Sequence, residues 1–137
     1  MEYKDLLTII VTILLVVGGW AAVHFLSLRR EIEQKKREIR VQYLKDAYIK
    51  LAEAVDRGSI VDNIKDIQES FNVIQIFGDE SQIELIGNFI EEATAGGSPS
   101  IDELLKELRN EIRQHIGLEP IDGYRWHIRL DKEETLH

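Results

Sequence analysis

LLTIIVTILLVVGGWAAVHFLSL, Leu6 to Leu28, is 23 residues long and contains no Asp, Glu, Lys or Arg. As an α-helix rising 1.5 Å per residue it is ~34 Å long, slightly more than the ~30 Å hydrocarbon core of a bilayer. A helix satisfies its backbone hydrogen bonds internally, as lipid requires. A cleaved secretory signal is the competing reading. Against it, the leading MEYKD holds two acids and one base, the apolar run exceeds a signal core, and the residues after Ala21 and Ala22 stay apolar. The stretch therefore predicts an uncleaved transmembrane helix.

Working outward, the flanks orient that helix. Arg29 to Arg40, RREIEQKKREIR, carries six bases (Arg29, Arg30, Lys35, Lys36, Arg37 and Arg40), whereas Lys4 is the only base on the amino-terminal side. The positive-inside rule counts bases and places the carboxyl side in the cytoplasm. The same six side chains are the expected contacts with anionic lipid headgroups. Nothing in Arg29 to Arg40 breaks a helix, so the transmembrane helix is expected to run on through it, supported by the i,i+4 pairs Glu31–Lys35 and Glu33–Arg37. Ile32 and Ile39 lie one heptad apart, only a faint coiled-coil signal because Lys35 falls between them. Within the span, Gly18 and Ala22 form a small-xxx-small pair suited to anchor packing. His24, one turn from the cytoplasmic end, is expected to reach headgroups rather than to relay protons.

Composition constrains the remainder. Beyond Leu28, Asp and Glu number 23 (25 less Glu2 and Asp5) against 16 Lys and Arg (17 less Lys4), a formal charge of −7. That balance disfavours a nucleic-acid surface, which needs clustered bases to neutralise phosphates. Cysteine is absent, which excludes disulfides, thiolate metal sites and thiol nucleophiles.

Past Arg40 the period changes to that of amphipathic helices. Val41, Leu44, Tyr48, Leu51 and Val55, widened by Ala47 and Ala52, predict a first helix ending at Gly58 and continuous with the membrane helix. A second helix is expected from about Val61 to Phe77 on Ile64, Ile67, Phe71, Ile74 and Ile76. Asp79 or Ser81 should cap a third, facing inward through Ile83, Ile86, Phe89, Ile90 and Ala93. After Gly96-Gly97-Ser98-Pro99, Ser100 and Glu103 have capping-box spacing and open a fourth helix on Ile101, Leu104, Leu105, Leu108, Ile112 and Ile116. Tyr124, Trp126, Ile128 and Leu130 alternate with Arg125, His127 and Arg129, a strand signal. Arg125, Trp126, His127 and Arg129 are its candidate partner contacts, against the alternative of an edge strand kept soluble by charge. The expected fold is all-α: a transmembrane helix (1–28), a basic helical stalk (29–40), a cytoplasmic helical bundle (41–121) and a short extended strand with its tail (122–137).

The segments QYLKDAYIKL (from Gln42), IQIFGDESQIELIGNFIEEA (from Ile74) and LLKELRNEIRQHIGLEP (from Leu104) resemble an uncharacterised family of small bacterial single-pass membrane proteins with a carboxyl-terminal helical domain. The most particular shared element is the IQIFG turn followed by Q-x-E-L. The resemblance implies a bacterial inner-membrane setting and carries over no activity, cofactor or site residue.

Catalytic constellations are missing from the sequence: no phosphate-binding Gly loop, no HExxH, no nucleophile elbow. Glu111 and His115 share a helix face at i,i+4 and are expected to point to solvent. Asp62, Asp66 and Glu69 are expected to form a solvated acidic face. The sequence therefore predicts no cofactor, no metal and no enzymatic activity. It predicts a membrane-anchored interaction module whose partners are the lipid bilayer, a cytoplasmic protein or a second copy of the chain. The alternative is an oligomeric effector that perturbs or permeates the bilayer.

Overall fold

A computed structural model describes residues 2–58 and 61–123. Among the described residues the protein is all-α, with α1 at Tyr3–Asp56, α2 at Ile64–Phe77, α3 at Glu80–Thr94 and α4 at Asp102–His115. The expected strand at Tyr124–Leu130 lies outside the described residues. The chain divides into two compact units, Met1–Ile39 and Arg40–His137.

The first unit is the amino-terminal part of α1. It contains a helix long and apolar enough to cross a membrane, and none of that apolar window is buried. The apolar core helix of a soluble protein is mostly buried; this one exposes Leu14, Leu15, Val16, Trp20 and Val23 alike. Its two threonines turn their hydroxyls inward: Thr8 donates to the Lys4 carbonyl at 2.9 Å and Thr12 to the Thr8 carbonyl at 2.8 Å. Such back-bonding satisfies both threonine hydroxyls within the helix itself. Arg29 to Arg40 is helical throughout, as expected, but its ion pairing differs. Glu33 bonds Lys36 at 3.2 Å and Gln34 bonds Glu38 at 3.2 Å, in place of the expected Glu31–Lys35 and Glu33–Arg37 pairs.

The second unit holds the core. Leu44, Ala47, Leu51 and Ala54 of α1 meet Ile67, Phe71 and Ile74 of α2, Ile86 and Phe89 of α3, and Leu104, Leu105 and Leu108 of α4. Phe71 and Phe89 pack edge to face, centroids 5.4 Å apart at 84°, the geometry that ring quadrupoles favour. Tyr48 and Val55 are half-buried, and the small Ala47 and Ala54 take the centre of the stripe.

Helix ends explain the boundaries. Asp79 caps α3 through a full capping box: its carboxylate accepts from the Gln82 N–H at 3.0 Å, and Gln82 Oε1 accepts from the Asp79 N–H at 3.1 Å. Gly96 and Gly117, at φ +77° and +79°, close α3 and α4. At each end the next residue's N–H reaches back five positions in a Schellman arrangement, Gly97 to Glu92 at 3.0 Å and Leu118 to Arg113 at 2.8 Å.

Three expectations need correction. The capping box at Ser100 does not form: α4 starts at Asp102, and the Ser100 hydroxyl accepts from the Asp102 N–H at 3.3 Å rather than from Glu103. Burial of Ile101 in the core sets the approach of the chain there. In α3 the inward stripe is Gln82, Leu85, Ile86 and Phe89, leaving Ile83, Ile90 and Ala93 exposed. The buried polar Gln82 displaces the face that apolar spacing indicated. Ile64, Ile76 and Ile116 are likewise exposed.

Candidate functional site

The most elaborate polar assembly lies in the second unit, where four segments bring five side-chain or backbone groups together. Arg40 comes from α1, the Phe77 carbonyl from the end of α2, Gln82 from the first turn of α3, and Glu111 with His115 from the last turns of α4. The Phe77 carbonyl belongs to the last turn of α2, where carbonyls lack helical partners and carry the negative end of the helix dipole. Arg40 Nε donates to it at 2.6 Å. The same guanidinium is paired through one terminal nitrogen with Glu111 Oε1, and the other Glu111 oxygen accepts from Gln82 Nε2. Gln82 can reach because its own capping box holds it at the start of α3.

His115 Nε2 stands 3.3 Å from the same Arg40 nitrogen and 3.4 Å from Glu111 Oε1. Unprotonated, that ring nitrogen accepts from Arg40; protonated, it donates to Glu111. A single nitrogen cannot do both. The expectation that Glu111 points to solvent is therefore corrected, since its side chain is only 16% exposed, whereas His115 stays at the exposed end of α4. The apolar positions on α4 showed which face meets the core, but not that Arg40 and Gln82 would arrive beside Glu111.

These residues form one wall of an open polar cavity of about 620 Å³, completed by Glu103, Lys106, Glu107 and Asn110. Charges of both signs line it. Ser81 donates to Glu107 at 2.7 Å on its far side, with Asp79 Oδ1 at 3.0 Å. Chemically, the assembly satisfies the end of α2 and the start of α3 and ties both to α1 and α4. Both Glu111 oxygens are engaged, and among the described residues no group of three or more His, Asp or Glu is arranged to hold a metal.

Two further polar contacts escaped sequence reasoning. On the outer face Lys50 of α1 pairs with Glu69 and lies 3.8 Å from Asp66, while Arg57 meets Asp66 at 3.3 Å and Glu53 at 2.9 Å. The Asp66–Glu69 face is thus neutralised from α1 rather than merely solvated. Hydrogen bonding to Lys50 holds the Glu69 carboxyl below its usual range, and Glu69 raises Lys50 in turn. After α4, Asn110 exchanges two hydrogen bonds with the Ile121 backbone (3.0 and 3.2 Å). Arg113 donates to the Glu119 carbonyl at 2.8 Å and Arg109 to that of Gly123 at 2.7 Å. The signal for this fold-back was Gly117 followed by Pro120, which shows a reversal but not what grips it.

Of the sequence-derived site residues, Arg29, Arg30, Lys35, Lys36 and Arg37 are exposed on α1. The Arg29 guanidinium lies 5.1 Å from the Phe25 ring centroid, and Lys36 pairs with Glu33. Arg40, expected among the lipid contacts, is committed to Phe77 and Glu111. Gly18 and Ala22 are exposed, and a Cβ at Gly18 would meet open space. His24 stacks on Trp20, centroids 5.5 Å apart and nearly parallel. Arg125, Trp126, His127 and Arg129 lie outside the described residues. Comparison with protein-family models, with curated proteins and with solved structures found no match.

Proposed function

We propose that the chain is a single-pass membrane protein with its amino terminus outside and its helical bundle in the cytoplasm. There the bundle serves as a non-enzymatic module that binds a protein partner at the membrane surface. The observation that carries the reading is the helix of Leu6 to Leu28, long enough to span and with none of its apolar window buried. In water so much exposed apolar surface would be costly at ~25 cal/mol per Å², whereas in lipid the cost disappears. Five exposed bases directly after it favour the cytoplasmic side for the helical bundle. The resemblance to small bacterial membrane proteins supports an inner-membrane location.

Support for binding rather than catalysis comes from where the domain spends its polar groups. Arg40, Gln82 and Glu111 satisfy one another and the helix ends. Meanwhile α3 leaves Ile83 and Ile90 exposed at 42% and 44% on one row with Gly87, beside Glu80, Glu84 and Glu91. An apolar row rimmed by acids is a surface suited to a helix with an apolar face and basic flanks.

Photocrosslinking in native membranes tests this. A photoreactive residue at Ile83 or Ile90 should give a discrete protein adduct that one at Asp62 does not. Adducts absent from both α3 positions would sink the partner reading. Loss of membrane potential on overexpression would move the weight to the bilayer-perturbing effector.

A further inference from the structure

Arg29 to Arg40 contains two apolar residues among ten polar or charged ones, and both fall on one line of the helix. Ile32 and Ile39 are seven apart and stay exposed, at 53% and 46%, with no neighbour from the rest of the unit covering them. Counting back in sevens from Ile32 reaches Phe25 and Gly18, and the intervening seam positions are Ala21, Leu28 and Lys35. Phe25 and Leu28 are exposed as well. In an aqueous or headgroup setting an isolated helix gains nothing by keeping two isoleucines in register over two turns. A partner helix with the same spacing would bury them.

We infer that the occupant of this seam is a second copy of the same stalk, in a parallel two-stranded coiled coil that continues the membrane helices into the cytoplasm; the inference rests on the membrane reading above. Charge complementarity selects it. With Ile32 and Ile39 as a positions and Leu28 and Lys35 as d positions, Glu31 falls at g and Lys36 at the following e. In a parallel pair, g of one helix faces e of the next heptad on the other. Glu31 therefore meets the Lys36 of the second copy, and the two-fold axis makes the contact twice. Lys36 bonds Glu33 within the chain at 3.2 Å, but that pair is exposed and exchangeable.

The surface already has the receiving shape. A shallow groove on the stalk is lined by Ile32, Lys35, Lys36 and Ile39 with Glu31 at its rim. The first four make the hole that receives a d-layer knob. Lys35 at that layer can lay its methylenes along the seam with its ammonium in water. Membrane insertion removes the competing arrangements: two copies with the same topology are held parallel and at the same depth. That sets the register and raises the effective concentration of one stalk about the other.

The chain lacks cysteine, so single-cysteine variants report the seam without background. The full chain in native membranes is oxidised mildly after Leu28→Cys, Ile32→Cys or Ile39→Cys, with Gln34→Cys and Arg37→Cys as outward positions. The expected result is at least about fivefold more disulfide-linked dimer at the three seam positions. In the Ile32→Cys background, Glu31→Lys or Lys36→Glu alone should lower the dimer yield about two- to fivefold, and the two together should restore it.

Alkaline carbonate extraction of the same membranes separates the two readings. Chain retained in the pellet with equal crosslinking at all positions, or with none, overturns the seam and leaves the anchoring intact. Chain released to the supernatant overturns the anchoring, and the parallel alignment fails with it.

Discussion

The Arg40 guanidinium and the Glu111 carboxylate form an ion pair at the place where the end of α2 and the start of α3 must both be satisfied. Arg40 bonds the Phe77 carbonyl and Glu111 accepts from Gln82, so one pair ties α1 and α4 to the turn between the other two helices. Its side chains are 32% and 16% exposed, so solvent screens the pair only in part.

Removing one member leaves the other charged and half-buried. Glu111→Ala should destabilise the domain by about 1–3 kcal/mol, less than a fully buried pair would cost because Arg40 retains some solvent. Arg40→Met with Glu111→Met should recover part of that loss. Denaturant unfolding of the detergent-solubilised full chain measures both. A double variant no better than the single one would show that the pair does not act as a unit.

Gly78 separates α2 from α3 by two residues' worth of chain, and its neighbours leave no room for a side chain. A Cβ there would lie 2.5 Å from the Ile74 carbonyl oxygen and 2.8 Å from Gln82 Oε1. Gly78→Ala should therefore cost about 1–3 kcal/mol by pushing on backbone and on the capping glutamine. Gly87→Ala, which meets nothing within 4 Å on the exposed side of α3, should instead stabilise by up to about 1 kcal/mol. Thermal melts of the two variants should move in opposite directions.

On the outer face the acid and base limits have opposite signs. Glu69 titrates below its usual range when folded, so its contribution is present above the unfolded carboxyl pKa and is lost as pH falls through the folded value. Lys50 titrates above its ordinary value of 10.5, so its contribution is present below that value and is lost as pH rises through the folded one. Both groups are exposed, so the effect should be small and should shrink in salt. Glu69→Gln should flatten the acid limb of a stability–pH curve and leave neutral pH nearly unchanged. An unaltered acid limb would refute the pairing.

Past α4 the chain depends on Asn110 and Gly117. Gly117→Ala places a side chain at φ +79° and should cost about 1–2 kcal/mol. Asn110→Ala removes the acceptor of the Ile121 N–H, so amide exchange at Ile121 should speed up while exchange in the core of α4 stays as it was.

By itself the sequence determined the helices and where they break. Leu6 to Leu28, the spacing of Leu44 and Leu51, Asp79 as a candidate cap and the glycines at 96 and 117 act through local physics: period, capping and backbone freedom. Those signals are complete within a few residues, so they could be read without the fold. Tertiary structure alone decided which side of α3 turned inward, because Gln82 is buried by a hydrogen bond to Glu111, a residue from a different helix. It also decided that Glu111 faces Arg40 rather than water, and that Lys50 neutralises Glu69. Each of these pairs is distant in the chain, and hydrophobic periodicity records only apolar burial; a polar group buried by its partner leaves no mark until the partner is in place.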